Sequence, residues 1–275
     1  MIFIFYLAMP ISALADFSTE LVECTDAQTL LLSCTGEGKN LDAALNAARR
    51  ECLRWYLEQM LVDPAGASSL AERIELDRVV EMPRGAPTRG VGIKSKFRTE
   101  KGVRVSILTR LFRARLDSML ERLDALPEKL KAALQNTIVD IEVGKMEGGE
   151  KYRTTLDELA RSFISSLGWS VLPRSFSKLK GKTVAKPNVL VELSAVRRTR
   201  KLDWGSGGKR LAVTYTVTAK AIDTVKNILI ASSVRTGTER PLFSADAEWQ
   251  AIRDSAMDAV CRMELALRRK IARAQ

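Results

Sequence analysis

Apolar residues recur along this chain in two rhythms, every second position or every third and fourth, and the switches between them mark its elements. Thr29 to Thr35 (TLLLSCT) is an apolar run of strand length, and Gly36-Glu37-Gly38 is expected to break it in a turn. From Leu41 the apolar positions fall at 41, 44, 45, 48, 52, 55 and 56, the spacing of an amphipathic helix, with Asn46, Arg50, Arg54 and Glu58 opposite. Asn40 is placed to cap it, and Ala43, Ala44, Ala47 and Ala48 would let it lie close on a sheet. Asp63-Pro64-Ala65-Gly66 is expected to end this helix, and Ile74 to Met82 reads as a strand before a Pro83–Gly90 loop. Gly92–Thr99 and Val103–Phe112 then alternate around Glu100-Lys101-Gly102, the pattern of a hairpin. Val103, Val105, Ile107 and Leu111 share one face of it, and Arg98, Arg104 and Arg110 belong on or near the exposed one. A helix over Arg115–Leu126, with Leu116, Met119, Leu120 and Leu123 inward, closes a β-α-β-β-β-α unit.

Pro127 to Gln135 reads as a linker with helical character. A second unit begins with the strand Ile138–Val143 and a turn at Met146–Glu150. Thr155 and Glu158 have the spacing of a capping box, opening a helix with Leu156, Leu159, Ala160, Phe163, Ile164 and Leu167 on one side and Gly168 at its end. A short strand over Trp169–Leu172, a basic loop over Arg174–Lys186, and a strand from Val189 to Val196 follow. Leu211 to Ile222 alternates Leu211, Val213, Tyr215, Val217, Ala219 and Ala221 against Thr214, Thr216, Thr218 and Lys220. After a turn at Asp223–Asn227, Ile228–Val234 returns. The last element is a long helix from Ala245, its row Trp249, Ile252, Ala256, Val260, Met263, Leu267 and Ile271 stepping by three and four, with Asp258 and Arg262 paired on its flank. The fold class is therefore α+β in two domains, each a mixed or antiparallel sheet packed with a long amphipathic helix pair, over residues 16–126 and 137–275 with a linker at 127–136.

Composition adds location and sign. Residues 1–15 (MIFIFYLAMPISALA) carry no charge and end in Ala13-Leu14-Ala15, an export-signal pattern cleaved near Ala15, too short for a transmembrane helix. A soluble, periplasmic product is expected. The net charge of +11 is uneven: residues 1–150 hold 20 basic and 22 acidic side chains, residues 151–275 hold 24 and 11. Such asymmetry suggests an anionic partner for the second half, against the blander reading of a solvated basic surface. Export makes disulfides possible for Cys24, Cys34, Cys52 and Cys261, none of them in a CxxC pair. Cys24 and Cys34 flank a short apolar segment and are expected to meet across a hairpin.

Histidine is absent, which removes Ser-His-Asp and Cys-His catalysis and zinc sites with His ligands. Asp140 and Glu142 stand two apart on a strand, and paired carboxylates can do acid/base work or hold a divalent ion; nothing else converges on them, so strand-end solvation is the stronger reading. Ser206 lacks a GxSxG frame. The Gly36-Glu37-Gly38 turn lacks the full phosphate-binding pattern. No metal or cofactor is expected.

Gly36-Glu37-Gly38 followed by Ala43-Ala44-Leu45-Asn46-Ala47-Ala48-Arg49-Arg50 resembles the start of flagellar assembly protein T and related exported proteins. Asp223-Thr224-Val225-Lys226-Asn227-Ile228-Leu229-Ile230-Ala231-Ser232, with Ala251–Ala266 after it, is similar to the TolB-amino-terminal or CsgG-like middle domain of the same proteins. The resemblance implies a non-enzymatic envelope protein and brings no catalytic residues. The family has a third, C-terminal domain, whereas this sequence ends at Gln275 with the helix, which separates the fold from a flagellar role.

The expected function is an envelope scaffold or assembly factor whose basic second domain meets an envelope protein, an anionic envelope component or a ring of its own copies. The contact residues expected are Lys178, Lys180, Lys182, Arg197, Arg198, Arg200, Lys201, Lys209 and Arg210. Nucleic acid is not expected, since only Phe176, Trp204 and Tyr215 offer stacking nearby. The alternative is a periplasmic binding module for an anionic glycan or small ligand, which a deep pocket lined by the basic loops would favour over a flat or convex basic face.

Overall fold

The computed structural model describes residues 19–24, 26–61, 64–81, 92–100, 102–174, 186–204, 208–237, 240–241 and 245–273. The expected export signal, the Pro83–Gly90 loop, Ser206, and Lys178, Lys180 and Lys182 lie outside them.

Two sheets are each packed against helices. The first has the order β1 (Glu20–Cys24), β2 (Thr29–Gly38), β5 (Gly102–Phe112), β3 (Val80–Glu81), with β4 (Ile93–Thr99) also on β5, all antiparallel. Helix α1 (Leu41–Met60) lies across it, capped by Asn40, whose side chain accepts from the Ala43 amide at 2.9 Å. The second sheet runs β10 (Ile228–Thr236), β9 (Gly208–Asp223), β8 (Val189–Trp204), β6 (Ile138–Glu147), β7 (Ser170–Val171), with β11 (Arg240–Pro241) on β9. Its β6 pairs are parallel and the rest antiparallel. As the alternation requires, Val213, Tyr215, Val217, Ala219 and Ala221 are buried; Leu211, of the same parity, is exposed.

Gly36-Glu37-Gly38 is not a turn. All three residues continue β2, opposite Val105, Arg104 and Val103 of β5. The glycines are there because α1 crosses the strand at backbone distance. A Cβ on Gly36 would lie 2.1 Å from the Ala48 nitrogen, and one on Gly38 2.5 Å from that of Ala44. Small residues on both partners therefore set the closeness of strand and helix.

Three other expectations change. Pro64 opens a new helix, α2 (Pro64–Arg73), where proline's missing N–H costs nothing. Residues 74–81 supply only a two-residue strand, paired with Leu111 and Arg110 of β5, because Leu76–Val79 form the single turn α3 instead. Thr155 forms no capping box: a 3₁₀ turn over Glu150–Tyr152 leads into α6 (Arg153–Ser166), which begins before it without a side-chain cap.

The linker region forms α5 (Glu128–Asn136), with Leu130 buried, after α4 (Arg113–Arg122); Leu123, expected inward, is exposed at the end of α4. The last helix, α7 (Ala245–Arg273), joins the two halves. It packs on β9 and β10 of the second sheet, on β1 of the first, and on α1, α5 and α6. From Ala259 to Leu267 every residue but Arg262 and Ala266 is buried, so this stretch is enclosed on all sides rather than amphipathic.

The expected Cys24–Cys34 bridge is wrong. Cys24 bonds to Cys261 and Cys34 to Cys52, with Cα separations of 6.3 and 5.8 Å. The register explains it: β1 places Cys24 opposite Leu30 and Glu20 opposite Ser33, so Cys34 lies beyond the far end of the hairpin. Cys34 reaches α1 instead, and Cys24 reaches α7. One bridge staples a strand to its covering helix; the other spans 237 residues and ties the first strand to the last helix.

Candidate functional site

Polar chemistry in this protein is gathered along α7. At its middle, Glu264 is fully buried and receives Arg113 Nη2 at 2.5 Å, Trp169 Nε1 at 2.9 Å, and Arg268 Nε. Arg268 also donates to Asp117 at 2.9 Å and to the Leu167 carbonyl at 2.6 Å, while Tyr56 donates to Asp117 at 3.0 Å. Burial pushes the Glu264 carboxyl up, but the Arg113 and Arg268 charges and the Trp169 hydrogen bond outweigh it and hold it at about 2. Burial, with Asp117 beside it, pushes the Tyr56 hydroxyl well above the usual tyrosine range. These residues come from α1, α4, the end of α6 and α7, so the cluster is a joint between the two halves. Its two arginines and two carboxylates compensate one another, and the groups are spent on internal contacts.

Nearer the start of α7, Glu248 is the acceptor for a second cluster. Tyr215 Oη lies 3.1 Å away, Tyr152 Oη 3.3 Å, and Lys151 Nζ 2.8 Å. Arg197 Nε lies 2.9 Å from Glu248 Oε1. Burial pushes the Glu248 carboxyl up, and the Lys151, Tyr215 and Arg197 contacts bring it below the usual carboxylate range. Of the two expected carboxylates on β6, Asp140 is held by Arg161 at 3.0 Å and Glu142 stands exposed, so they do not form a working pair. Among the described residues no three His, Cys, Asp or Glu side chains converge as metal ligands.

The expected contact residues divide. Arg197 is half-buried and pairs with Glu248 at the root of the β8–β9 ribbon. Beyond it the ribbon leaves its neighbours behind. Pairing of β6 with β8 ends at Val196, and β10 leaves β9 at Thr216, with only the two residues of β11 following at Ala212 and Val213. Among the described residues, 197–204 of β8 pair with β9 alone, forming an open edge of the ribbon whose last four residues, about 13 Å at 3.3 Å per residue, run on past β11. Arg198, Arg200 and Lys201 are exposed on it, and their parity sends the first two to one face and the third to the other. In the returning strand Lys209 and Arg210 stand in register with Asp203 and Leu202. The structure thus brings six of the nine expected cations onto one ribbon. The cations near the end of α7 divide in the same way, with Arg268 buried and Arg269 and Lys270 exposed.

Sequence reasoning missed the Glu264 joint. The available signal was the stretch Ala259-Val260-Cys261-Arg262-Met263-Glu264-Leu265, which has too few polar positions for a helix with a solvent face.

Among the described residues no helix is long and apolar enough to cross a membrane. No family model and no curated protein matches the chain. Part of it is similar to several solved structures. A neuraminyllactose-binding hemagglutinin homolog from Helicobacter pylori aligns over 44% of this chain and 80% of its own, at 10% identity and a TM-score of 0.30. Lipoprotein GNA1162 from Neisseria meningitidis aligns over 41% and 88%, at 11% identity and 0.28. Hypothetical protein CT253 from Chlamydia trachomatis aligns over 49% and 92%, at 13% identity and 0.28.

Proposed function

We propose that this protein is a non-enzymatic scaffold or assembly factor of the cell envelope, which docks an acidic partner protein on its basic arm. The observation that carries the reading is the projection of β8 and β9 beyond the rest of their sheet, with Arg198 and Lys201 exposed on opposite faces. A two-stranded ribbon is a poor wall for a small ligand and a good peg for a partner's groove. Its root is fixed: Tyr215 and Arg197 meet Glu248 of α7, so the arm is tied to the helix that joins the two halves. The uncharged, mostly apolar residues 1–15 and the resemblance to flagellar assembly protein T support an envelope setting.

The rival reading, a module for an anionic glycan or small ligand, calls for a pocket lined by the basic loops. Among the described residues, which leave out 175–185 and 205–207 of those loops, one groove of about 840 Å³ is lined by residues of β1, α1, β10 and α7. The docking proposal is tested with the variant Arg198→Glu/Arg200→Glu/Lys201→Glu, which reverses the exposed charge and leaves Arg197 in place. Capture of the partner from envelope extracts is expected to be lost in the variant, and to weaken in the wild type as salt rises. Capture of the same partner by both proteins at every salt concentration would overturn it.

A further inference from the structure

The groove lies where the second half of α7 crosses β1 and the end of α1. Its floor is apolar, made by Leu21, Trp55, Leu265 and Ala266. Five cations surround that floor against one carboxylate, Glu20. Two of them are committed: Arg235 and Arg262 share Asp258, at 2.6 and 3.0 Å, and Arg262 also donates to the Leu21 and Val22 carbonyls. Arg273 donates to the Glu58 carbonyl at 3.0 Å, a neutral acceptor that leaves its charge uncompensated there. Arg269 and Lys270 stand exposed beside it. The end of a helix carries about half a negative charge, which three cations in its last turns outweigh.

A hydrated inorganic anion gains nothing from Leu21, Trp55 and Leu265, and a neutral hydrocarbon gains nothing from the rim. A molecule that satisfies both has an alkyl chain and an anionic head. The groove volume of about 840 Å³ is that of a small-molecule site. We propose that this groove binds a single-chain amphiphile with an anionic head, its chain on the Trp55–Leu265 floor and its head among Arg269, Lys270 and Arg273. The site is independent of the docking arm, since Glu248 and Arg269 are separated by roughly 30 Å along α7 at 1.5 Å per residue.

Dodecyl phosphate, titrated calorimetrically into the full chain below its critical micelle concentration, is the test. Saturable 1:1 binding is expected, weakening with salt and by up to about 4-fold for each methylene removed from the probe. Arg269→Glu/Lys270→Glu, both at exposed positions, is expected to reduce affinity at least about 10-fold, and Ala266→Trp to block the floor. The rim variant keeps the test decisive should the floor variant fold poorly. The proposal is overturned if wild type does not bind the probe, or if an acidic amphipathic peptide binds where the probe does not. It is equally overturned if inorganic phosphate binds as tightly (a simple anion site), if dodecyl maltoside does (a simple apolar patch), or if the rim variant binds unchanged.

Discussion

Replacing Glu264 by Gln tests the joint between the two halves. The substitution keeps the shape of the side chain and an acceptor for Trp169, but removes the charge facing Arg113 and Arg268. Both arginines are 1% exposed, so water cannot replace the lost carboxylate. Asp117 still faces Arg268, at 2.9 Å, which leaves Arg113 as the stranded cation. Breaking a buried pair from one side costs about 3–5 kcal/mol. The depressed Glu264 pKa gives a comparable figure: a shift from 4.5 to about 2 corresponds to roughly 3 kcal/mol. Urea denaturation of E264Q should therefore show a loss of about 3 kcal/mol, and thermal melting a drop of about 6–12 °C for a chain of this size. A companion variant, Arg113→Met/Asp117→Asn/Glu264→Met/Arg268→Leu, removes all four charges together and should be much less destabilised than the single change. A loss below about 1 kcal/mol in E264Q would refute the view that charge compensation holds this joint.

Three further outcomes follow from the same geometry. Because the Glu264 pKa is lower folded than unfolded, its stabilisation is complete above about pH 4.5 and is lost as pH falls toward 2; acid titration of E264Q should lack that part of the wild-type decline. Thiol titration of the unfolded, unreduced protein should find no free thiol, and loop-closure entropy predicts that removing Cys24–Cys261 costs about 5 kcal/mol against about 3 for Cys34–Cys52, measured by denaturation of paired Cys→Ala variants. Gly36→Ala should destabilise by at least about 2 kcal/mol in urea, since its Cβ would meet the α1 backbone.

The local periodicities were the legible part of this chain. Asn40 and the 41–56 row place α1, the Glu100–Gly102 turn places the β4–β5 hairpin, and the alternation from Leu211 to Ile222 gives the buried face of β9 except at Leu211. Long-range pairing was not legible. Four cysteines allow three connectivities, and the choice rests on a register set by β1 and β2 and on the approach of α7. Gly36 and Gly38 show why composition misleads: glycine marks a turn in most strands, but here it admits a helix, and only the position of Ala44 and Ala48 distinguishes the two. The basic residues were read as one surface. The structure separates Arg268, buried on Glu264, and Arg197, half-buried on Glu248, from Arg198, Lys201, Arg269 and Lys270, which face outward, because charge count carries no information on what an arginine meets.

Docking on the arm is the central claim, and its most direct measurement is partner capture by Arg198→Glu/Arg200→Glu/Lys201→Glu set beside wild type across a salt series. Wild type should retain its envelope partner at low salt and release it as salt rises, while the variant, with an unchanged melting temperature, should capture none. Equal capture by the two proteins would contradict the account.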